Sequence, residues 1–179
     1  MSDDAALTQE ANLLGALALV VTDRTTDAIA AAAGQSGTAA AALSALHHFL
    51  DRPSIDLLRQ VLGLTSSGTV RLVDRLVQAG YVTRGPGADG RSTAIELTTA
   101  GRRAAQRVSA ARAAVLGEAL AQLSAGERAA LHRAMSRLLA GFVRGPSATR
   151  WLCRLCDTGA CGRDAGHCPA ANAYLERVS

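Results

Sequence analysis

The chain has 179 residues, of which 49% are hydrophobic and 19% are charged, and its formal net charge is +4. This length fits one domain with an appendage, and the apolar share is large enough to bury a core, which excludes disorder over most of the chain. An aromatic content of only 3% favours helices over a β-sandwich. The positive charge admits an acidic partner without identifying one.

The most apolar run argues against a membrane span. It covers only residues 13–21, whereas a helix needs about 20 apolar residues to cross a bilayer. The chain begins with Asp3 and Asp4 near its N-terminus, where a signal peptide would be basic. We therefore expect a cytoplasmic protein without a membrane partner. Four cysteines in such a reducing compartment suggest metal or redox chemistry before structural disulfides.

Helical periodicity and helix breakers predict four helices in the first half of the chain. A long helix covers residues 4–33, and a second covers residues 38–50. A short third helix follows Ser54, which is a suitable N-cap. The fourth runs over residues 66–79 and stops at Gly80, because glycine tolerates the left-handed conformation at a helix end.

The second half begins with the one clear β signal. Residues 81–84 and 91–97 are short strands around a turn rich in glycine, which predicts a β-hairpin. A long helix then extends to about residue 121. The capping-box sequence from Ser124 to Glu127 opens another helix, which reaches about residue 143.

Two short helices joined by a tight turn and followed by a hairpin describe a winged helix–turn–helix. Such a fold places its second helix, here residues 66–79, in the DNA major groove and the hairpin near the minor groove, whose negative potential attracts arginine. Arg71 and Arg75 lie one turn apart, and arginine can bind guanine bidentately or clamp a phosphate. Arginine in both elements favours DNA contact over ordinary solvated surface. The residues predicted to contact DNA are Ser66, Ser67, Thr69, Arg71, Arg75 and Arg84.

The segment from Leu64 to Arg84, the Asp89-Gly-Arg91 motif and the segment from Leu97 to Arg102 resemble the MarR family of bacterial transcription regulators. In architecture the resemblance covers about residues 7–143. It implies a homodimer in which two winged-helix lobes hold a palindromic operator in double-stranded DNA. It also implies that Arg91 enters the minor groove and that Asp89 helps to orient the wing.

One residue departs from this resemblance. Gly68 lies inside the recognition helix, where glycine costs about 1 kcal/mol relative to alanine. Its presence either permits a close approach to DNA or weakens the start of the helix.

The fold class we predict is mainly α with a small β-hairpin wing. Residues 4–35 and 99–145 form a helical dimerisation domain, residues 36–98 form the DNA-binding lobe, and residues 146–179 form a cysteine-rich tail. The first and last long helices carry more apolar surface than a small lobe can cover, and pairing two copies would bury it.

An alternative use of this surface is a pocket for a small-molecule effector at the junction between lobe and dimer helices, where the resemblance places effectors. His47 and His48 either line this pocket or are ordinary histidines at a helix end.

The tail carries Cys153, Cys156, Cys161 and Cys168, and four thiolates at such spacing can enclose zinc or ligate an iron–sulfur cluster. The first three resemble a zinc knuckle that lacks its histidine. The whole spacing resembles that of SoxR-type redox sensors, although two of the gaps differ. We therefore leave one metal centre per chain open between zinc and iron–sulfur, with reversible disulfides as a third option. His167 could replace a cysteine as ligand, but its neighbour Cys168 makes it sterically redundant.

The sequence thus predicts a DNA-binding regulator, a repressor, and not an enzyme. Metal loss or oxidation at the tail would shift the dimer helices and misplace the lobes; if a zinc ion were purely structural, a small ligand would be the signal instead. A thiol oxidoreductase using Cys153 and Cys156 lacks its βαβ context. The arginine pattern argues against a protein-interaction adaptor.

Overall fold

The computed structural model describes residues 3–35, 37–87 and 92–178. Its helices, in chain order, are α1 (Asp3–Ala33), α2 (Gly37–His48), α3 (Ile55–Leu62), α4 (Ser66–Gln78), α5 (Thr99–Ala121), α6 (Ala125–Phe142), α7 (Pro146–Leu152) and α8 (Pro169–Val178). Strands β1 (Val82–Pro86) and β2 (Thr93–Leu97) pair antiparallel, with Val82 opposite Leu97. A 3-10 turn, Cys153–Leu155, follows α7. The predicted helical fold with a small β-hairpin is confirmed.

Polar caps fix where the helices begin. The Ser54 hydroxyl accepts a hydrogen bond from the backbone N–H of Leu57, and Ser124 and Glu127 form the predicted capping box at the start of α6. The start of α4 is capped by Thr65, whose hydroxyl accepts from the backbone N–H of Gly68. Helix α7 is absent from the sequence-based prediction, because seven residues show too little periodicity to detect.

Helix α2 lies at the centre of the lobe, with α3, α4, α5 and the hairpin around it. Every residue from Ala39 to Leu46 is buried, and five of these eight are alanine. Small side chains let neighbouring helices approach on all sides, which explains how so alanine-rich a helix can be a core element. The large side chains that fill the surrounding core are Leu43, Leu58, Leu72, Leu76 and Ile95.

Helix α1 packs along α5 and is buried only near its C-terminal end, at Thr25, Ile29 and Ala33. The rest of α1 exposes a row of leucines, and none of the residues of α6, all of which the structure describes, is buried in the single chain. Over its full length α1 is long and apolar enough to cross a membrane, which the count of consecutive apolar residues did not reveal. Its buried end nevertheless belongs to the lobe's packing.

Two glycines in α5 provide a test of the packing between this helix and the hairpin. A Cβ added to Gly101 would lie 1.9 Å from the Tyr81 carbonyl oxygen, whereas nothing lies within 4 Å of one added to Gly117. We expect Gly101→Ala to lower the free energy of unfolding by about 1–3 kcal/mol or more, because backbone must move. Gly117→Ala, the matched control, should be neutral or raise it by up to about 1 kcal/mol.

Urea denaturation followed by circular dichroism measures both variants. Equal stability of the two would contradict the close contact between α5 and the chain leaving α4.

Candidate nucleic-acid interface and four-cysteine tail

Helix α4 has one face in the core and one face in solvent. Leu72, Val73 and Leu76 are buried against the lobe. The turn before α4 passes through Gly63, which adopts φ 64° and reverses the chain after α3. This geometry holds α4 at the surface, as the second helix of a helix–turn–helix must be held if it is to enter a groove.

The exposed face of α4 presents Arg71 and Arg75 one helical turn apart. The carboxylate between them is already engaged, since the Asp74 Oδ1 accepts a hydrogen bond from Arg84 Nη2 at 2.6 Å. Within the described ranges, neither Arg71 nor Arg75 forms an ion pair. Both border an open groove of about 530 Å³ on this side of the lobe. Their charge is therefore available to an external anion.

Arg84 has a different position from the one its predicted role requires. Its guanidinium lies against Asp74 and its side chain is 38% exposed, so this contact links β1 to α4. The structure thus gives Arg84 a positioning contact within the lobe, where its charge is balanced. The predicted contact with DNA would have to compete with that ion pair.

Thr69 is a correction to the predicted set. It is fully buried, and its hydroxyl donates to the Thr65 carbonyl at 2.9 Å. Because position 69 falls on the core face of α4, its side chain cannot reach a base or a phosphate. Ser66 and Ser67, one turn earlier, are exposed at the helix start as predicted.

Gly68 is explained by the cap that precedes it. A Cβ added here would lie 3.0 Å from the Thr65 Oγ1, the same atom that accepts the Gly68 N–H. A larger residue would therefore crowd the hydroxyl that caps α4. This contact gives a local reason for the glycine, and the two roles that the sequence predicts for it stay predictions.

The base of the wing is fixed to the lobe by Arg52. Its Nε lies 2.7 Å from the Glu96 carboxylate, and its Nη2 donates to the Pro86 carbonyl at 3.1 Å. These contacts hold both strands where they leave the lobe. The predicted wing-tip residues Asp89 and Arg91 lie outside the described residues.

The four cysteines of the tail are all free thiols. Cys153 and Cys168 are buried, and Cys156 and Cys161 are half-buried. Cys153 and Cys156 bracket one tight turn, in which the Cys156 N–H donates to the Cys153 carbonyl at 2.8 Å. The chain then folds through successive turns that include Gly162, at φ 65°, and returns to Cys168.

The thiols form two contacting pairs. A hydrogen bond from the Cys153 thiol lowers the pKa of Cys156 to about 6, and the same bond, with burial, raises the pKa of Cys153. Burial, followed by a hydrogen bond with Cys168, raises the pKa of Cys161 to about 12. The charges that further favour a thiolate at Cys156 are those of Arg112, Arg163 and Arg154.

The two pairs are also close enough to influence each other, since Cys156 acts on the charge of Cys161 and Cys168 on that of Cys153. Nevertheless, in the part of the chain that the structure describes, no three His, Cys, Asp or Glu side chains form a group that could hold a metal ion. The sulfur atoms are thus gathered pairwise, and the predicted metal centre stays a prediction.

His47 and His48 do line a cavity. It has a volume of about 560 Å³ and lies between α2, α5 and the tail, which contributes Cys156 and Asp157 to its wall. His48 Nε2 is 2.8 Å from the Ser109 Oγ, and burial lowers the pKa of this histidine. The effector that the sequence places at such a junction stays a prediction.

Sequence reasoning missed how the tail packs on the lobe. The Trp151 Nε1 lies 3.4 Å from the position that a Cβ on Gly63 would take, and the Thr158 hydroxyl donates to the His48 carbonyl at 2.9 Å. Leu155 packs against the lobe core. These contacts join residues far apart in sequence, and no local sequence pattern predicts them.

A family model of the MarR family matches residues 33–92, from the end of α1 into the wing. Among curated proteins, none matches the chain in sequence. The match covers both helices of the helix–turn–helix and the first strand of the hairpin, β1, and ends just before β2. It is a family of transcription regulators and not of enzymes, in agreement with the prediction.

Several solved structures share the fold. A MarR family protein from Bacillus stearothermophilus is 23% identical with a TM-score of 0.67, and the match covers 77% of this chain and 96% of that one. MepR, a transcription regulator of the Staphylococcus aureus multidrug efflux pump MepA, is 17% identical with a TM-score of 0.65, and the match covers 73% of this chain and 96% of that one. MarR from E. coli is 23% identical with a TM-score of 0.58, and the match covers 70% of this chain and 96% of that one. Residues 33–92 thus match the MarR family, and the chain has the fold of these winged-helix transcription regulators.

Proposed function

We propose that this chain is a cytoplasmic repressor that binds a palindromic operator as a homodimer. Each protomer places α4 in a major groove and its wing beside the adjacent minor groove. The observation that carries the proposal is the exposed pair Arg71 and Arg75 on α4. Asp74 does not balance their positive charge, because it forms an ion pair with Arg84. Two guanidinium groups one turn apart suit guanine edges or successive phosphates.

The start of α4 adds a second anion-binding feature. Ser66 and Ser67 are exposed there, and the first backbone N–H groups of a helix point outward with a positive dipole end. We infer that these groups meet the phosphate backbone and fix the register of the helix. The arginines farther along would then read base edges.

Dimerisation is supported by the apolar surface that the single chain leaves exposed. Leu7, Leu14 and Leu17 of α1 are each more than half exposed, and so is Phe142 of α6. Exposure of this extent on two long helices is typical of an interface. Pairing α1 and α6 of two protomers about a twofold axis would bury these side chains and set the spacing of two half-sites.

The cavity beside His47 and His48 supports the further proposal that a small-molecule effector regulates DNA binding. The cavity lies where lobe, α5 and tail meet, so a ligand there would contact elements that must keep a fixed arrangement for both lobes to engage DNA. Such regulation requires that the ligand bind the two arrangements with different affinity.

Removing the charges of α4 tests the proposed DNA contact. We expect Arg71→Ala and Arg75→Ala each to weaken binding to the duplex upstream of the protein's own gene by about 1–3 kcal/mol if the side chain reads a base. A lost phosphate contact would instead reduce the salt dependence of binding by about one unit of slope. Electrophoretic shift or anisotropy titrations over a series of salt concentrations measure both.

Arg177→Ala is the matched control for net charge, because Arg177 is exposed on α8, which packs on α6 and α7 and away from the recognition helix. It should leave affinity and salt slope nearly unchanged. If wild type and all three variants bind the duplex alike, α4 does not contact DNA.

A charged residue in the exposed stripe of α1 tests the proposed dimer. Leu17 is 57% exposed in the single chain, and burying a leucine contributes about 1.5–3 kcal/mol. Because a twofold interface contains each residue twice, we expect Leu17→Glu to raise the dimer dissociation constant about 100-fold or more. Light scattering coupled to size exclusion over a concentration series measures the mass.

Val70→Glu is the matched control, since Val70 is 42% exposed on α4, away from the apolar faces of α1 and α6. It should stay dimeric. A monomeric wild type would contradict the homodimer, and solubility of the wild type only in detergent would assign α1 to a membrane instead.

A further inference from the structure

We propose that Cys153, Cys156, Cys161 and Cys168 bind one Zn²⁺ ion per chain, and that this ion fastens the tail to the winged-helix lobe beneath the recognition helix. The site is separate from the DNA contacts, and its existence does not rest on the proposed regulatory function.

The sulfur contacts suit a single ion. In a tetrahedral site with Zn–S bonds of about 2.3 Å, neighbouring sulfur atoms lie about 3.8 Å apart. Cys153 and Cys156 are in hydrogen-bond contact, and so are Cys161 and Cys168. Each pair therefore brings together two of the four ligands, while no three His, Cys, Asp or Glu side chains in the described ranges yet form a group that could hold the ion. Metal binding would bring the two pairs together, as expected where a site completes itself on binding.

Positively charged side chains surround the sulfur atoms. Four thiolates around Zn²⁺ leave a net charge of −2. Arg112 and Arg154 act on the charge of Cys156, and Arg163 acts on three of the four cysteines. No carboxylate in the described ranges forms an ion pair with these arginines. They are thus available to offset the charge of a tetrathiolate centre.

The cysteines lie at two parts of the molecule, one against the lobe and one beside α8. Cys153 and Cys156 flank Leu155, which is packed into the lobe core against α2. Cys168 lies directly before α8, in a small cluster with Val143 at the end of α6. One ion held by both pairs would tie the α6–α8 side of the chain to the lobe.

This bridging role separates zinc from the alternatives. Disulfides within the observed pairs would close only the short loops 153–156 and 161–168 and would add no bond between the lobe and α8. A Zn²⁺ ion needs no ligand beyond four thiolates, whereas an iron–sulfur cluster also requires inorganic sulfide. The four cysteines therefore supply a complete ligand set for one zinc ion.

The tail reaches the turn of the helix–turn–helix through Trp151. Its indole packs against Gly63, the left-handed residue between α3 and α4, and the Arg154 guanidinium stacks 3.9 Å from the centre of the ring. Tail and turn are therefore in direct contact. A tail fastened by zinc would hold this turn, and with it the orientation of α4.

Metal analysis of the full-length protein, purified anaerobically with a reductant, tests the site. We expect about one zinc per chain and a colourless solution. A brown protein containing iron and acid-labile sulfide would overturn the assignment of zinc. If the purified protein contains neither zinc nor iron and binds no Zn²⁺ when titrated with it, the four cysteines do not form a metal site.

Variants identify the ligands. Cys161→Ser and Cys168→Ser should each lose zinc under a competing chelator at concentrations that leave the wild type loaded. His167→Gln is the matched control, because His167 is exposed and adjacent to Cys168. It should keep its zinc, and loss of the metal in this variant would contradict the four-thiolate assignment. Circular dichroism of each variant verifies that the helices are intact.

Trp151, the single tryptophan of the chain, reports on the fastening. Removing zinc with a chelator should shift its emission to longer wavelength as the indole leaves Gly63, and adding Zn²⁺ back should reverse the shift. Unchanged emission with full loss of zinc would show that the ion binds without holding the tail on the lobe, and would overturn that part of the proposal.

Operator binding then distinguishes this proposal from the proposed function, on which only the following step rests. If the fastened turn sets α4, zinc-loaded protein should bind the operator between about 5-fold and 150-fold more tightly than metal-free protein. Equal affinity would overturn the coupling. Absence of DNA binding in both states would refute the regulatory function, while zinc content and tryptophan emission would still decide the metal site.

Discussion

The two-faced character of α4 is the constraint on which the rest of the candidate interface depends. Leu72, Val73 and Leu76 must be buried to complete the lobe, and at 3.6 residues per turn this fixes Arg71 and Arg75 outward. Burial of three such side chains contributes roughly 4–9 kcal/mol, and the two arginines keep their favourable hydration on the opposite face. The interface is thus a consequence of the packing of the core.

Charge balance within the lobe reinforces this arrangement. Asp74 lies between the two arginines in the sequence and could have formed an ion pair with either of them. Its Oδ1 instead accepts a hydrogen bond from Nη2 of Arg84, a residue of β1, at 2.6 Å. The same ion pair joins the hairpin to the recognition helix. Since both side chains are about 40% exposed, its contribution to stability is small, and its effect is chiefly on which charges stay available.

The tail adds a layer of contacts to this lobe, whose winged-helix segment matches the MarR family model. Trp151 and Leu155 place it on the lobe, at the turn before α4 and on the core beside α2. Its cysteines are the polar centre of a segment whose own apolar cluster is small, built on Val143, Cys168, Ala170 and Ala173. A segment with so little core of its own depends on its contacts with the lobe. One of these contacts lies at the turn from which α4 begins.

The sequence by itself determined what depends on neighbours in the chain. Helix periodicity, the caps at Ser54 and Ser124, the hairpin and the order of the elements all follow from local patterns, and with them the exposed positions of Arg71 and Arg75. The close spacing of the cysteines was equally readable. These features needed no knowledge of how distant segments meet.

Only the tertiary structure decided the contacts between distant segments. In the folded chain Thr69 is buried and Arg84 forms an ion pair with Asp74. The Cys153 and Cys156 thiols interact with each other, and Trp151 packs against Gly63. From the sequence alone, the Thr69 hydroxyl on α4 could contact DNA or lie in the core, depending on which face of the helix the lobe covers. That face is determined by packing between distant segments, which local sequence does not encode.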